Sequence, residues 1–176
     1  NGLSRQAMFT VVVQDNEDPV LSGLPEDVIL ENDLDQCGAV HQWTEPTATD
    51  NCTTISIGVN HESGSFFNLG TTTVVYSVTD SSGNMVSSSF NVTVVDLQMP
   101  EFISTPQSVS LLTDPGVCGA AYSWDLPQVF DNCEEVDLAS SHQPGDLFPV
   151  GETLVTYSVQ DMTGNVISSN FTVTDR

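Results

Sequence analysis

Residues 73–94 have the sequence TVVYSVTDSSGNMVSSSFNVTV. Apolar and polar side chains alternate along Thr73–Val78 and again along Phe90–Val94, as they do in half-buried strands. Between these runs, residues 80–84 contain aspartate and serine, which favour turns by bonding to the backbone, and a glycine that tolerates a positive φ. The stretch therefore predicts two antiparallel strands joined by a hairpin turn.

The same pattern returns 81 residues later, as LVTYSVQDMTGNVISSNFTVTD over residues 154–175. The 81-residue offset holds without gaps along the chain, and the matched positions include Cys37 and Cys118, Trp43 and Trp124, Pro46 and Pro127, Asp50-Asn51-Cys52 and Asp131-Asn132-Cys133, and Tyr76 and Tyr157. Two tandem copies of one domain are therefore predicted, over residues 15–96 and 97–176. Residues 1–14 match the last strand of each copy and are predicted to be the closing strand of a preceding repeat.

Each copy consists of short alternating runs separated by turn residues, and no stretch has the 3.6-residue periodicity of a helix with end caps. Domains of this size built from short strands are typical of β-sandwiches. The predicted fold class is therefore all-β, with tandem sandwiches in a rod-like array.

The chain is strongly acidic, with 24 Asp and Glu against 2 Lys and Arg and a net charge of -22. Nucleic-acid binding depends on basic side chains that neutralise phosphates, so this composition argues against it, and against anionic membrane surfaces. No apolar run approaches the length of a membrane span, and residues 1–4 lack the pattern of a signal peptide. The acidity suits either a soluble extracellular surface or one that meets divalent cations.

Each copy has two cysteines with the same 15-residue separation, Cys37 with Cys52 and Cys118 with Cys133. An even count divided equally between the copies predicts one disulfide per domain, formed in an oxidising compartment. The alternative of a zinc site is less consistent with the sequence, because the usual paired-cysteine spacing with histidine is absent.

Three further groups of side chains are candidates for specific roles. Trp43 and Trp124 are interpreted as core anchors rather than ligand-stacking residues. Tyr76 and Tyr157 either form a tyrosine-corner hydrogen bond or are ordinary half-buried strand residues. Two accessible Asn-x-Thr sequons predict N-glycosylation, at Asn91 and Asn170.

Calcium is the one cofactor that the sequence suggests. A candidate oxygen-rich site lies before the first repeat, at Asp15, Asn16, Glu17 and Asp18. The next junction, residues 96–100, keeps only Asp96, so this linear motif does not recur.

The motifs resemble the HYR (hyalin repeat) domain family. The resemblance rests on Cys37-Gly38-Ala39, on residues 43–52 (WTEPTATDNC), on residues 76–84 (YSVTDSSGN), and on the second-copy matches. It implies immunoglobulin-like sandwiches and a role in extracellular matrix or cell adhesion. The implied partners are neighbouring repeats of the same or another chain, and other matrix or surface proteins.

The sequence contains no catalytic motif, neither a phosphate loop, nor HExxH, nor a nucleophile elbow. We therefore expect a non-enzymatic structural or adhesive repeat protein that forms or spaces a matrix, surface rod or filament. The alternative is a ligand-binding or accessory module of a larger cell-surface protein or secreted enzyme. For residues 1–14, the preceding sandwich could belong to the same chain or to another subunit.

Overall fold

The computed structural model describes residues 5–52, 54–133 and 135–176. Within these ranges the regular secondary structure consists of sixteen β-strands, and no helix is present. The predicted all-β fold of two tandem sandwich domains is confirmed.

The first repeat contains eight strands. Two of them are long and form the predicted hairpin, and the other six are short. In sequence order the strands are β1 (Val20–Ser22), β2 (Val28–Glu31), β3 (Gly38–Val40), β4 (Thr47–Thr49), β5 (Ile55–Val59), β6 (Phe66–Asn68), β7 (Gly70–Asp80) and β8 (Met85–Val95). The main sheet has the order β2-β8-β7-β5, and β1 pairs with β4 and β3 with β6 in two smaller ladders.

The second repeat has the same set of strands. They are β9 (Glu101–Ser104), β10 (Val109–Leu111), β11 (Gly119–Ala121), β12 (Gln128–Phe130), β13 (Val136–Ser140), β14 (Leu147–Pro149), β15 (Gly151–Asp161) and β16 (Val166–Asp175). The main sheet has the order β10-β16-β15-β13, in which β10 runs parallel to β16 while the other pairs are antiparallel. The smaller ladders join β9 to β12 and β11 to β14.

The hairpin turns are organised by one buried aspartate in each repeat. Asp161 Oδ1 accepts hydrogen bonds from the backbone N–H groups of Thr163, Gly164 and Asn165 at 2.7–2.9 Å. Its Oδ2 accepts one from Asn165 Nδ2 at 2.7 Å. Burial alone would raise the pKa of Asp161, but these hydrogen bonds outweigh that effect and lower it. Asp80 has the corresponding position and bonds in the first repeat, and its pKa is lowered for the same reason.

Alternation along the long strands builds the core of the second repeat. Its fully buried members are Phe148, Val155, Tyr157, Phe171 and Val173, and the partly buried side chains packed against them include Phe102, Leu138 and Trp124. Both tryptophans therefore have the expected relation to the core, since each lies edge-on to a strand phenylalanine, Trp43 on Phe90 and Trp124 on Phe171.

The tyrosine hydroxyls bond to these same tryptophans. Trp43 Nε1 donates to the hydroxyl of Tyr76 at 2.8 Å, and Trp124 Nε1 donates to the hydroxyl of Tyr157. A buried hydroxyl needs such a partner. The sequence left two alternatives for these tyrosines, a tyrosine corner or an ordinary strand residue. In the structure the hydroxyl partner is instead the tryptophan indole.

The compact units of the chain do not coincide with its sequence repeats. One unit comprises the chain up to Val28 together with His41–Ser65 and Thr71–Thr93. The other comprises Ile29–Val40, Phe66–Gly70 and Val94–Arg176. The latter, here called the second unit, therefore contains a segment of the first repeat.

Residues 5–13 are in no strand, and their apolar side chains are largely exposed, with Phe9 87%, Val11 70% and Val13 90% accessible. The corresponding side chains of β8 (Phe90, Val92 and Val94) are 0–2% accessible. The prediction that this segment closes a preceding repeat stays a prediction, and its first four residues lie outside the described ranges.

Candidate functional site

One disulfide is present in the described part of the chain, and it joins Cys37 to Cys133 with a Cα–Cα distance of 4.9 Å. Both cysteines belong to the second unit. Cys52 and Cys118 are exposed thiols. The structure thus does not contain the expected pairs Cys37–Cys52 and Cys118–Cys133, and it replaces them with a bond between successive sequence repeats.

The reason for this difference is that the sequence spacing is ambiguous. Cys37 and Cys133 are separated by 96 residues, which is one repeat of 81 plus the internal spacing of 15. Cysteine counts alone cannot distinguish a bond within each repeat from a bond shifted by one repeat. The position of the loop that carries Cys37 decides between them.

That loop, residues 33–37, is a preformed turn. Asp33 N donates to Gly38 O at 2.8 Å, and Asp33 Oδ2 accepts from Val40 N at 2.9 Å, so both ends of the turn are held by one residue. Asp35 adopts φ 59°, a left-handed conformation that non-glycine residues rarely take. We call residues 33–37 and their second-repeat counterparts 114–118 the cysteine loops.

The first cysteine loop bonds to the start of the second repeat. Asp35 N donates to Gln98 Oε1 at 2.9 Å, and Gln98 Nε2 returns a bond to Asp35 Oδ1 at 3.0 Å. Asn132 Nδ2 donates to Gln36 O at 3.1 Å, next to the disulfide. Three hydrogen bonds therefore hold the loop where Cys37 meets Cys133.

An acidic cluster lies beside this disulfide. One oxygen each of Asp96 and Asp131 and the Cys133 sulfur lie within 4.8 Å of one another. Both aspartates are 5% accessible. Each has one oxygen engaged, since Asp96 Oδ1 accepts from Gln98 N and Asp131 Oδ2 accepts from Cys133 N.

The other carboxylate oxygens of this cluster, Asp96 Oδ2 and Asp131 Oδ1, are buried without a hydrogen-bond partner in the described structure. So is Oδ1 of the adjacent Asn132, whose Nδ2 donates to Asp96 Oδ1 at 3.3 Å. Burial raises the pKa of Asp131, and the nearby charges of Asp161 and Asp96 raise it further. The chain has no lysine and only two arginines, Arg5 and Arg176, that could balance such charges. Ca²⁺ is coordinated by carboxylate and amide oxygens, and buried oxygens are costly without a partner, so the residues present fit a hard cation.

The corresponding cluster of the first repeat is Asp15, Asp50 and Asp80, whose oxygens also lie within 4.8 Å of one another. Of the four calcium candidates from the sequence, only Asp15 belongs to it. Glu17 instead accepts a hydrogen bond from Asn51 Nδ2 at 2.7 Å, while Asn16 and Asp18 are exposed.

Sequence reasoning missed Asp50 and Asp80, although a signal was available. The three aspartates recur together at the repeat offset, as Asp96, Asp131 and Asp161. A search limited to consecutive residues could not find a cluster assembled from three parts of a repeat.

Cys52 is adjacent to the first-repeat cluster. The pKa of its thiol is raised by desolvation and then by the charges of Asp15, Asp50 and Glu17. A catalytic cysteine has a lowered pKa, so the raised pKa of Cys52 does not fit a catalytic role.

The two predicted glycosylation positions lie on long strands of the main sheets. Asn170 is exposed on β16, while Asn91 on β8 is partly covered and bonds through its side chain to Asp27 and Thr73. Glycosylation of both stays a prediction. The third sequon, at Asn51, includes Thr53, which lies outside the described residues.

No helix in the described ranges is long and apolar enough to cross a membrane.

Comparison with known proteins gives consistent matches across the chain. The HYR domain family matches residues 14–94 and 95–174. Hyalin of Strongylocentrotus purpuratus is 36% identical over 99% of this chain, which covers 15% of that protein. Sushi, von Willebrand factor type A, EGF and pentraxin domain-containing protein 1 of Rattus norvegicus is 36% identical over 89% of this chain, which covers 4% of it. The crystal structure of human protocadherin-24 EC1-2 is 16% identical with a TM-score of 0.39, covering 92% of this chain and all of that one.

The chain thus spans a small share of the curated relatives it matches, as a repeat module does within a larger protein. The HYR domains that it matches are non-enzymatic modules. Because the family match extends over nearly all of its residues in two consecutive copies, the chain belongs to the HYR domain family.

Proposed function

We propose that this chain is a structural and adhesive segment of an extracellular matrix or cell-surface array, whose partners are neighbouring repeats. The observation that carries the proposal is the Cys37–Cys133 disulfide, which bonds one repeat to the next. Disulfides persist in oxidising, extracellular compartments. A covalent bond between consecutive repeats, added to the peptide linker, limits how far they can separate, which suits a spacer.

Electron microscopy of the full-length protein tests this role. Secreted material is expected to show extended particles whose contour length grows with the number of repeats, and reduction of disulfides is expected to make them more flexible. Recombinant forms with fewer repeats provide the matched length series. Compact particles of unchanged dimension across that series would contradict a spacer function.

The exposed segment Phe9–Val13 is proposed to complete a sheet of the preceding repeat. Its counterparts in β8 and β16 supply buried phenylalanine and valine side chains to their own repeats. An apolar strand without a sheet leaves its backbone groups unpaired and its side chains in water.

Hydrogen exchange measures this directly. In the full-length protein, the amides of Phe9–Val13 are expected to be protected to the same degree as those of Phe90–Val94, because both would be sheet strands. In the 176-residue chain alone they are expected to exchange rapidly. Rapid exchange in both proteins would rule out a closing strand.

We also propose that the cluster of Asp96, Asp131 and Asn132 binds Ca²⁺. Its support is the set of buried oxygens without partners and the scarcity of basic side chains. A bound cation there would link the start of the second repeat to the segment that carries Cys133, and so stiffen the region that the disulfide holds.

A further inference from the structure

The two exposed cysteines correspond, by repeat position, to the two that are bonded. Cys118 is the counterpart of Cys37, and Cys52 is the counterpart of Cys133. The bonded pair therefore consists of a first cysteine from one repeat and a second cysteine from the next repeat. Each repeat of this chain contains one first cysteine and one second cysteine.

We propose that Cys52 and Cys118 each form an inter-repeat disulfide of the same kind as Cys37–Cys133, with a cysteine of a neighbouring repeat. Cys52 would bond to the first cysteine of an HYR repeat that precedes it, and Cys118 to the second cysteine of one that follows. This inference rests on the proposed function as a repeat array. It makes the array a covalent ladder with one crosslink at each junction.

The second cysteine loop already has the geometry of the first. Asp114 N donates to Gly119 O at 2.8 Å and Asp114 Oδ2 accepts from Ala121 N at 3.0 Å, which matches the bonds of Asp33. Gly116 has φ 79° where Asp35 has φ 59°. Cys118 is thus presented by a turn of the kind that bonds Cys37 to its partner, but in the described structure no residue is bonded to it.

The face that would receive a preceding loop is present and uncovered around Cys52. Asn51 and Cys52 are exposed, whereas their counterparts Asn132 and Cys133 are partly buried beside the first cysteine loop. A surface depression is lined by Asn51, Cys52 and Glu17. The depression corresponds in position to Asn132 and Cys133 of the second repeat, which bond to Gln36 and Cys37.

Glu17 limits which residue the incoming loop can have at the position of Asp35. Its counterpart Gln98 both accepts from and donates to Asp35. A glutamate carboxylate can accept the backbone N–H but cannot donate. The preceding loop is therefore expected to resemble the second one, with a residue such as Gly116 in place of the Asp35 carboxylate.

Bond formation requires an oxidant. Two thiols lose two protons and two electrons as the S–S bond forms, and a small-molecule disulfide or a dithiol oxidase accepts those electrons and is reduced to two thiols. An extracellular route supplies such oxidants.

The 176-residue chain has one free second cysteine, Cys52, and one free first cysteine, Cys118. Copies of the chain should therefore join head to tail through these two residues. After oxidation by glutathione disulfide, non-reducing denaturing electrophoresis is expected to show a ladder of multimers for the native sequence. The variants Cys52→Ser and Cys118→Ser are each expected to stay monomeric. An equal mixture of the two is expected to give a dimer, because one chain contributes Cys118 and the other Cys52.

Three outcomes would overturn the proposal: a mixture that stays monomeric, dimers formed as readily by either variant alone, or a Cys37–Cys52 crosslink. The crosslinks are read by mass spectrometry after cleavage at acidic residues, since Asp50 separates Cys37 from Cys52 and Asp125 separates Cys118 from Cys133. Trypsin is unsuitable because Arg5 and Arg176 are the only lysine or arginine residues.

Identification of the disulfide-linked peptides of the full-length protein is the decisive test. Cys52 is expected in a crosslinked peptide with a cysteine of the preceding repeat, and a free Cys52 thiol in secreted material would refute the ladder. Such a result would leave the spacer function intact, because that proposal rests on the Cys37–Cys133 bond, which a free Cys52 does not affect.

Discussion

Replacement of both Cys37 and Cys133 by serine is expected to lower the free energy of unfolding of the second unit by up to about 4.7 kcal/mol. The bond spans 96 residues of sequence, and a crosslink that closes so long a loop removes more loop-closure entropy from the unfolded chain than one that closes a short loop. The double variant is preferred to either single one, since a single replacement would leave an additional reactive thiol.

Urea unfolding followed by tryptophan fluorescence in a Trp43→Phe background measures the loss, because the remaining tryptophan, Trp124, lies in the second unit. The matched control is the double variant Cys52→Ser with Cys118→Ser, which removes the same number of sulfurs but leaves the disulfide. Its stability is expected to stay within about 0.5 kcal/mol of the native chain, as for most exposed substitutions. Equal losses in both double variants would show bonding within each repeat and contradict the structure.

Local pattern was enough to predict the fold. Two-residue alternation in β7 and β8, with a turn of aspartate, serine and glycine between them, predicts the hairpin that is found. The 81-residue offset then predicts the same hairpin as β15 and β16. These features are local in sequence, or repeat exactly, and so they survive without knowledge of tertiary contacts.

The site could not be predicted in the same way, because it depends on which segments meet in space. The pairing of Cys37 with Cys133 joins residues whose spacing is equally consistent with bonds inside each repeat. The cluster at Asp96 and Asp131 combines a linker residue with one from a distant turn. Both arise from tertiary placement of short loops, which sequence periodicity does not encode.

The same spatial assembly explains why the two clusters differ in burial. Asp96 is buried, while its counterpart Asp15 is only partly covered. In the second repeat the cysteine loop bonds to Gln98 and Asn132 next to the cluster. The acidic cluster is therefore more buried in the repeat that is covered by a cysteine loop, and a cation would be bound more strongly there.

Addition of Ca²⁺ is expected to stabilise the second unit, by about 2.7 kcal/mol at a concentration one hundred times the dissociation constant. The ion would supply positive charge to Asp96 and Asp131, whose buried oxygens lack partners in the described structure. The response is measured as the shift in unfolding free energy with and without Ca²⁺. Mg²⁺ is expected to give a smaller shift, because it requires a tighter octahedral set of oxygens.

The variant Asp131→Asn separates metal binding from a general effect of charge. Without Ca²⁺ it is expected to be at least as stable as the native chain, since an amide removes the carboxylate repulsion yet can still accept the bond from Cys133 N. With Ca²⁺ it is expected to gain nothing. The control Asp125→Asn makes the same charge change at an exposed position and is expected to keep the full response.

Acid provides an independent test with a definite sign. Because the folded-state pKa of Asp131 is raised, protonation favours the fold: that contribution is complete below the unfolded-state pKa and is lost as pH rises through the folded-state value. Lowering the pH into that window should therefore stabilise the metal-free chain through Asp131 while abolishing the gain from Ca²⁺, which needs the carboxylate. If the Ca²⁺ response were equal in Asp131→Asn and in the native chain, or unchanged by protonation of Asp131, the ion would be acting elsewhere on this acidic surface.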